Sequence, residues 1–232
     1  MAHSLMTSVT SLTGAGILKP AFTPSAAKQI DRQAIRNKVR SARRAIPTDA
    51  QKRFAHEAAA RLMEIIRQRQ AKHVALYLTS DGELDTQPLI ETLWQQGVTV
   101  YLPRLHPFSK GNLLFFRYLP TSHLLQNRLK IWEPKLDITE MILPQDLDVI
   151  ITPLVAFDEQ GNRMGMGGGY YDRCLSDWQL TGKPYPIGYA HDCQRVESLP
   201  TEHWDIPLPL IVTPSNILFV PEESLTANTN VR

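Results

Sequence analysis

Cysteine is scarce: Cys174 and Cys193 are the only two in 232 residues. They are too few for a disulfide framework and carry no metal-ligand spacing, which excludes a disulfide-stapled module and points to a reduced, cytoplasmic setting. Long hydrophobic runs are also missing. The longest strongly apolar stretch, residues 149–157, is short and broken by Thr152 and Pro153, whereas a membrane span needs ~20 apolar residues. Excess charge of one sign is absent as well. Lys and Arg total 25 against 23 Asp and Glu, a net charge of +2, so neither nucleic acid nor membrane is the default partner. The first 30 residues contain no Asp, Glu or Arg and are rich in Ser, Thr and Ala. They lack the early basic region and unbroken apolar core of a secretory signal, and the arginines of an organelle presequence.

What remains is ordinary globular material, 43% hydrophobic and 21% charged, enough for one substantial domain. Residues 1–28 are expected to be a disordered extension, 29–221 a single α/β domain, and 222–232 a polar tail. The first helix runs from about Lys28 to Pro47. Ile35, Val39, Ala42 and Ile46 mark a core side, and Arg32, Arg36, Arg40, Arg43 and Arg44 with Lys38 mark a basic side. Thr48 and Gln51 form a capping-box pattern for a second helix with Phe54, Ala58, Leu62, Ile65 and Ile66 on its apolar stripe. HVALYLT (73–79) reads as a buried strand, Thr86 as the cap of a helix ending at Gly97, and VTVYLP (98–103) as the next strand. Strand, helix and strand in that space form a right-handed crossover and so a piece of parallel sheet. Further strands are expected at 112–119, 147–153, 186–190, 209–213 and 217–220. The pattern predicts a mostly parallel central sheet with helices on both faces.

The informative stretch is DEQGNRMGMGGGYYDR, residues 158–173. It follows the most β-branched strand and precedes a helix expected over Tyr170 to Trp178. Ligands of open α/β sheets bind beyond the carboxyl ends of strands. Gly165, Gly167, Gly168 and Gly169 let main-chain N–H groups approach a ligand with no β-carbon between, which suits phosphate. The segment is neither a Walker A loop, lacking Gly-Lys-Ser/Thr, nor a dinucleotide fingerprint. Its positive charge has to come from Arg163 or from the first helix. Asp172 is placed to hold a magnesium ion that bridges phosphate oxygens. A plain chain-reversing turn is the competing reading.

At these residues the sequence resembles the 5-formyltetrahydrofolate cyclo-ligase family, also called methenyltetrahydrofolate synthetases. The resemblance is carried by ITPLVAFDEQGNRMGMGGGYYDR (151–173). RQAIRNKVR (32–40), LTSDGELDT (78–86), YLPRL (101–105), Glu133-Pro134 after NRLKIW, and LPTEHWDIPLP (199–209) support it by order and spacing. It implies a three-layer α/β/α sandwich and an ATP- and Mg2+-dependent ring closure. 5-Formyltetrahydrofolate would become 5,10-methenyltetrahydrofolate through a phosphorylated formyl (iminium phosphate) intermediate, with release of ADP and phosphate. Phosphoryl transfer asks mainly for positioning and charge neutralisation, so no protein nucleophile is needed.

Residue by residue, the resemblance implies ATP contacts at Arg32, Arg36, Arg163, Met164, Gly165, Met166, Gly167, Gly168, Gly169, Tyr170 and Tyr171. It implies folate contacts at Arg36, Leu78, Glu83 and Tyr170, with Glu83 accepting hydrogen bonds from the pterin. Asp172 and Asp205 match magnesium positions. Arg32 stands where many members have Lys, so a planar fork replaces a point charge. Met164 and Met166 stand where members often have Leu and a variable, sometimes basic, residue. His191 and Asp192, although adjacent, are expected to be structural, because neighbours on a strand point to opposite faces. The partners implied are formyl folate and ATP, with no nucleic acid or membrane, and the chain is expected to act as a monomer. The rival readings are a polyanion-binding module built on the arginine-rich helix, a folate-sequestering relative without catalysis, and another nucleotide-dependent transferase on the same sandwich.

Overall fold

The computed structural model describes residues 25–127 and 129–226. The first 24 residues of the expected extension lie outside them, and residues 25–28 begin the first helix. In chain order the elements are α1 (Ser25–Arg44), α2 (Thr48–Gln68), β1 (His73–Ala75), α3 (Gln87–Gln95), β2 (Thr99–Leu105) and β3 (Leu113–Arg117). Then come β4 (Leu124–Gln126), β5 (Trp132–Pro134), β6 (Met141–Ile142), β7 (Val149–Thr152), β8 (Ala156–Phe157) and β9 (Arg163–Met164). The last are α4 (Tyr170–Cys174), α5 (Trp178–Thr181), β10 (Tyr185–Tyr189), β11 (Leu210–Val212), β12 (Ile217–Phe219) and α6 (Glu222–Thr226).

Eight strands form the main sheet in the order β12-β11-β10-β7-β1-β2-β3-β6. The five from β11 to β2 are mutually parallel, while β12, β3 and β6 pair antiparallel at the two edges. Alternation along each parallel strand divides the core. Val74, Val100, Val149, Ile151, Leu210 and Val212 pack against α2 and α3. Ala75, Tyr101, Ile150 and Ile211 face the opposite way, toward Leu175, Trp178 and Leu225. Successive side chains on a strand point to opposite faces, so a run apolar on both parities must be covered on both. Leu62 and Ile66 of α2 are fully buried on this sheet, each worth about 1.5–3 kcal/mol. This is the expected α/β architecture with helices on both faces.

Several local expectations differ. Thr48 and Gln51 make no capping box: Pro47 is the N-cap, no side chain caps α2, and Gln51 turns back to the Ile46 carbonyl at 3.1 Å. Pro47 already pre-sets the backbone for helix entry, so the cap bond is dispensable. The Thr86 hydroxyl likewise donates to the Tyr77 carbonyl at 2.7 Å instead of capping α3. Gly97 has φ 72, the left-handed conformation expected of a helix-ending glycine. The helix expected over Tyr170 to Trp178 is two short pieces, α4 and α5. The residues after Val220, expected to form a polar tail, include α6, whose Leu225 is buried in the core.

The largest departure concerns α1. Its core and basic sides are one face. Ile35 and Val39 pack against Val155, Ala156, Met164 and Leu199. Arg43, 1% exposed, lies on that same face, while Ala42, expected in the core, is exposed. Arg32, Arg36 and Arg43 therefore point into the protein, while Arg44 stays exposed.

Candidate active site

The order of the sheet reverses between β1 and β7. From β1 the chain proceeds outward through β2, and from β7 it proceeds the other way through β10 and β11. Such a switch point leaves a crevice beyond the carboxyl ends of the strands. A cavity of about 280 Å³ lies there. Tyr77 and Leu78 after β1, Pro103 and Leu105 on β2, and Pro153 to Val155 after β7 contribute to it, with Ser80 and Glu83 on one side. Arg163, Gly165, Met166 and Gly168 to Asp172 form the other side.

The chain reaches the glycine segment through the β8–β9 hairpin. Asp158, fully buried, holds its turn by accepting from Gln160 N, Asn162 N and Nδ2, and Leu199 N at 3.0–3.1 Å. Gly167 and Gly169 then adopt φ 96 and φ 64, open to glycine at little cost. Gly168 has a different reason to be glycine: a β-carbon there would fall 2.5 Å from the Tyr170 ring. Because α4 has only five residues, helix-end polarity contributes little, and the loop's affinity for an anion has to come from its amides and nearby arginines.

Those arginines are engaged. Arg36 donates from Nε to the Gly165 carbonyl at 2.9 Å. Arg173, which no sequence feature singled out, donates to Gly168 O at 2.5 Å and Gly111 O at 2.7 Å, and braces the loop against the β2–β3 turn. Arg163 is 6% exposed, with Nη2 2.7 Å from Asp172 Oδ1. Its Nε is buried without a hydrogen-bond partner among the described residues. Arg32 forms a two-pronged pair with Asp205 at 2.8 and 3.3 Å and also reaches Pro200 O at 3.2 Å. Asp205 raises the Arg32 pKa, whereas burial and the nearby Arg32 charge lower that of Arg36. The arginine face that suggested a polyanion-binding module is thus turned toward the protein's own carbonyls and carboxylates.

On the opposite side, Glu83 lies close to Ser80 N, at 3.1 Å, and 3.9 Å from Arg43 Nη2. Burial outweighs these contacts and pushes its carboxyl above the usual carboxylate range. Leu78 and Tyr170 line the cavity as well. Tyr171 has its phenol pKa pushed up by burial, and it lines the cavity while packing against the core. Met164 is 1% exposed and belongs to the core beneath α1, so its side chain does not face the cavity. Met166 is 58% exposed and lines it.

Asp172 and Asp205 lie near each other, since Asp172 Oδ1 also accepts from Ile206 N at 3.2 Å. Both oxygens of Asp205 are bonded, to Arg32 and to Glu202 N at 2.9 Å. Asp172 has only Oδ1 bonded among the described residues. No group of three or more His, Cys, Asp or Glu able to hold a metal occurs among those residues. The donors therefore do not fit an ion caged by protein. They fit one brought in on phosphate oxygens, which needs only one or two carboxylates.

One wall was not foreseen. The β4–β5 hairpin places Asn127, Leu129 and Ile131 on the cavity. Glu133, 5% exposed, ties this hairpin to the sheet: it is 3.0 Å from Arg104 Nη1, accepts from Asn127 Nδ2 at 3.0 Å and from Leu105 N at 3.3 Å. A charged residue in a three-residue strand gives no periodic signal, and only the Glu133-Pro134 pair hinted at it. His191 and Asp192 are not on a strand but at a short helical turn after β10. His191 packs edge-on to Phe54 and its pKa is lowered by burial. Asp192 accepts from the Thr213 and Ser215 hydroxyls at 2.6 and 2.5 Å.

Known proteins similar to this chain share one family description. Residues 28–214 match the model of the 5-formyltetrahydrofolate cyclo-ligase family. The chain is 58% identical over 179 residues to the 5-formyltetrahydrofolate cyclo-ligase of Escherichia coli K12, covering 77% of this chain and 98% of that one. It is 50% identical to the Haemophilus influenzae protein of the same name, over 76% of this chain and 94% of that one. Among solved structures, the 5,10-methenyltetrahydrofolate synthetase of Aquifex aeolicus superposes with a TM-score of 0.69 at 30% identity, over 82% of this chain and 92% of that one.

Proposed function

This chain belongs to the 5-formyltetrahydrofolate cyclo-ligase family, and from that premise we propose that it uses ATP to close 5-formyltetrahydrofolate into 5,10-methenyltetrahydrofolate. The observation that carries the reading is the cavity with two unlike walls. A glycine loop with the buried Arg163 shares one largely apolar cavity with a desolvated carboxylate, Glu83. A flat pterin with N–H donors suits the Glu83 side, since an ionised carboxylate only accepts. A triphosphate suits the loop side.

The formyl oxygen is a poor leaving group. Transfer of the γ-phosphoryl group to it releases ADP and leaves an N5-iminium carbon bearing phosphate. N10 attacks that carbon, the C–O bond breaks, phosphate departs and the N10 proton is lost to solvent. The protein's part is to align donor and acceptor and to neutralise the moving charge. Arg163, whose buried Nε has no hydrogen-bond partner among the described residues, supplies a donor at the loop entrance. Arg36 does not line the cavity but reaches its glycine loop at Gly165, from where it would turn to phosphate. Tyr170 closes the junction over Gly168. Arg32 lies outside the cavity lining and would contact phosphate only on exchange of its Asp205 partner. Asp172 is the carboxylate that would hold Mg2+ through Oδ2, where the ion would neutralise phosphate charge; Asp205 would have to release Arg32 first.

Among the described residues no helix is long and apolar enough to cross a membrane. The test is direct. Purified protein with 5-formyltetrahydrofolate, ATP and Mg2+ is expected to build the near-ultraviolet absorbance of the methenyl product. Removal of ATP, or chelation of the metal, is expected to abolish it. Folded protein that gives no product would overturn the reading.

A further inference from the structure

Asp81 lies just outside the cavity, two residues before Glu83. Its φ is 52, in the left-handed region, and Gly82 follows at φ 73. These two residues reverse the chain after β1 and bring Glu83 onto the cavity wall. A non-glycine residue in this conformation is strained and persists only where its surroundings hold it. Three arginines of α1 do so. Arg40 Nε donates to Asp81 Oδ2 at 2.7 Å, and Arg43 Nη2 to the same oxygen at 2.8 Å. Arg43 Nε donates to the Asp81 carbonyl at 2.9 Å, and Arg44 pairs with Oδ1. The arrangement continues inward. Arg43, 1% exposed, also donates to the Leu154 carbonyl at 3.3 Å, on the cavity lining, and stands 3.9 Å from Glu83.

A single carboxylate at a loop does not need three guanidinium groups to be neutralised. Their geometry has another consequence. Each approaches Asp81 from α1, so the turn is fixed in position and in rotation. A β-carbon on Gly82 would already lie 3.3 Å from Arg44 Cγ, which shows how closely helix and turn meet. We propose that Asp81 is a positioning residue for the folate end of the site: its clamp by Arg40, Arg43 and Arg44 holds the 80–83 turn so that the Glu83 carboxylate is presented to the substrate ready oriented. The role rests on the folate reading of the cavity, and it goes further by assigning to three basic residues of α1 a task at the wall opposite the glycine loop.

Steady-state turnover of the full chain tests this, with Asp81→Asn, Glu83→Gln and the double variant. Asp81→Asn is expected to raise KM for 5-formyltetrahydrofolate about tenfold, in the range of couplings between contacting groups. KM for ATP and kcat at saturating folate stay close to wild type. In the Glu83→Gln background, Asp81→Asn adds no further loss of folate affinity, because it acts through Glu83. Arg44→Gln, at an exposed side chain, gives a smaller rise of the same kind and serves if Asp81→Asn folds poorly. An unchanged folate KM, multiplying effects in the double variant, or an equal rise in both KM values would overturn the role. A wild-type protein that forms no methenyl product would instead overturn the folate reading itself, and this role with it.

Discussion

The Arg163–Asp172 pair offers a perturbation in which stability and chemistry can be pulled apart. Arg163 has a side chain 3% exposed and Asp172 one 17% exposed, 2.7 Å apart. Removing one member of a buried pair leaves the other charge without its partner, a loss of ~3–5 kcal/mol. Arg163→Met alone should therefore lower the urea midpoint strongly with an unchanged slope. For a chain of this size that corresponds to a fall in Tm of roughly 6–20 °C, taking about 2–4 °C per kcal/mol. Adding Asp172→Asn removes the orphaned charge. Replacing both members of a buried pair is often close to neutral, so the double variant should regain most of the lost stability. ATP use should not return with it, because Arg163 is the cation, and Asp172 the metal-holding carboxylate, proposed for the loop. Urea titration by intrinsic fluorescence gives the first quantity, and the ATP dependence of methenyl formation the second. Two results would refute the reasoning. A double variant as unstable as Arg163→Met would show that the unpaired carboxylate is not the source of the loss. A double variant with wild-type ATP dependence would remove both Arg163 and Asp172 from the nucleotide site.

Three further outcomes follow from the same geometry. Glu83→Gln is expected to raise KM for formyl folate and leave KM for ATP near wild type; in the wild type, folate affinity falls as pH drops through the raised Glu83 pKa, and the variant should lose that dependence in a pH series of KM. Gly167, at φ 96, should lose about 1–3 kcal/mol on change to Ala, whereas Gly165→Ala, with no atom within 4 Å of the new carbon, should melt like wild type. Asp81, held down at about 2 by the arginines on it although burial opposes them, has a depressed folded-state pKa; its contribution to stability is present above the ordinary value of 3.8 and is lost as pH falls toward 2, a step in acid denaturation that Asp81→Asn should remove.

The architecture was legible because it is written in alternation. Val149, Ile150 and Ile151 are all apolar and all buried, on both faces of β7, so the sequence required cover on each side. Gly97 and the β1–α3–β2 crossover were legible from local chemistry that tertiary packing did not override. The glycine loop was legible because its position after a buried strand is where such sheets bind ligands. What the sequence hid were contacts between distant segments. Arg40, Arg43 and Arg44 read only as part of a basic side, since nothing in α1 announces that Asp81 lies across from them. The β4–β5 wall was hidden because its strands are three residues long, too short for a period to show. The Thr48 cap failed for the opposite reason: a real local signal lost to Pro47, which sets the same helix entry by backbone constraint.

The pairing of the arginines bears on how such a site is kept before substrate arrives. A buried guanidinium with no partner is costly, yet a nucleotide loop needs guanidinium groups that phosphate can reach. Here each cation near the loop has an internal oxygen: Arg32 has Asp205, Arg163 has Asp172, and Arg36 has the Gly165 carbonyl. An incoming triphosphate then exchanges one oxygen partner for another, without having to supply the first. Exchange favours the nucleotide only where the new contact is better made than the old one. The Gly165 contact, a neutral carbonyl under a charged donor, is the weakest of the three on that criterion. If the loop takes ATP as proposed, Arg36 is the one of these three most readily turned to phosphate; Arg173, held by the Gly168 and Gly111 carbonyls, meets the same criterion but braces the loop. On the proposed reading one helix, α1, carries both a cation for the nucleotide and the arginines that clamp Asp81 beside Glu83.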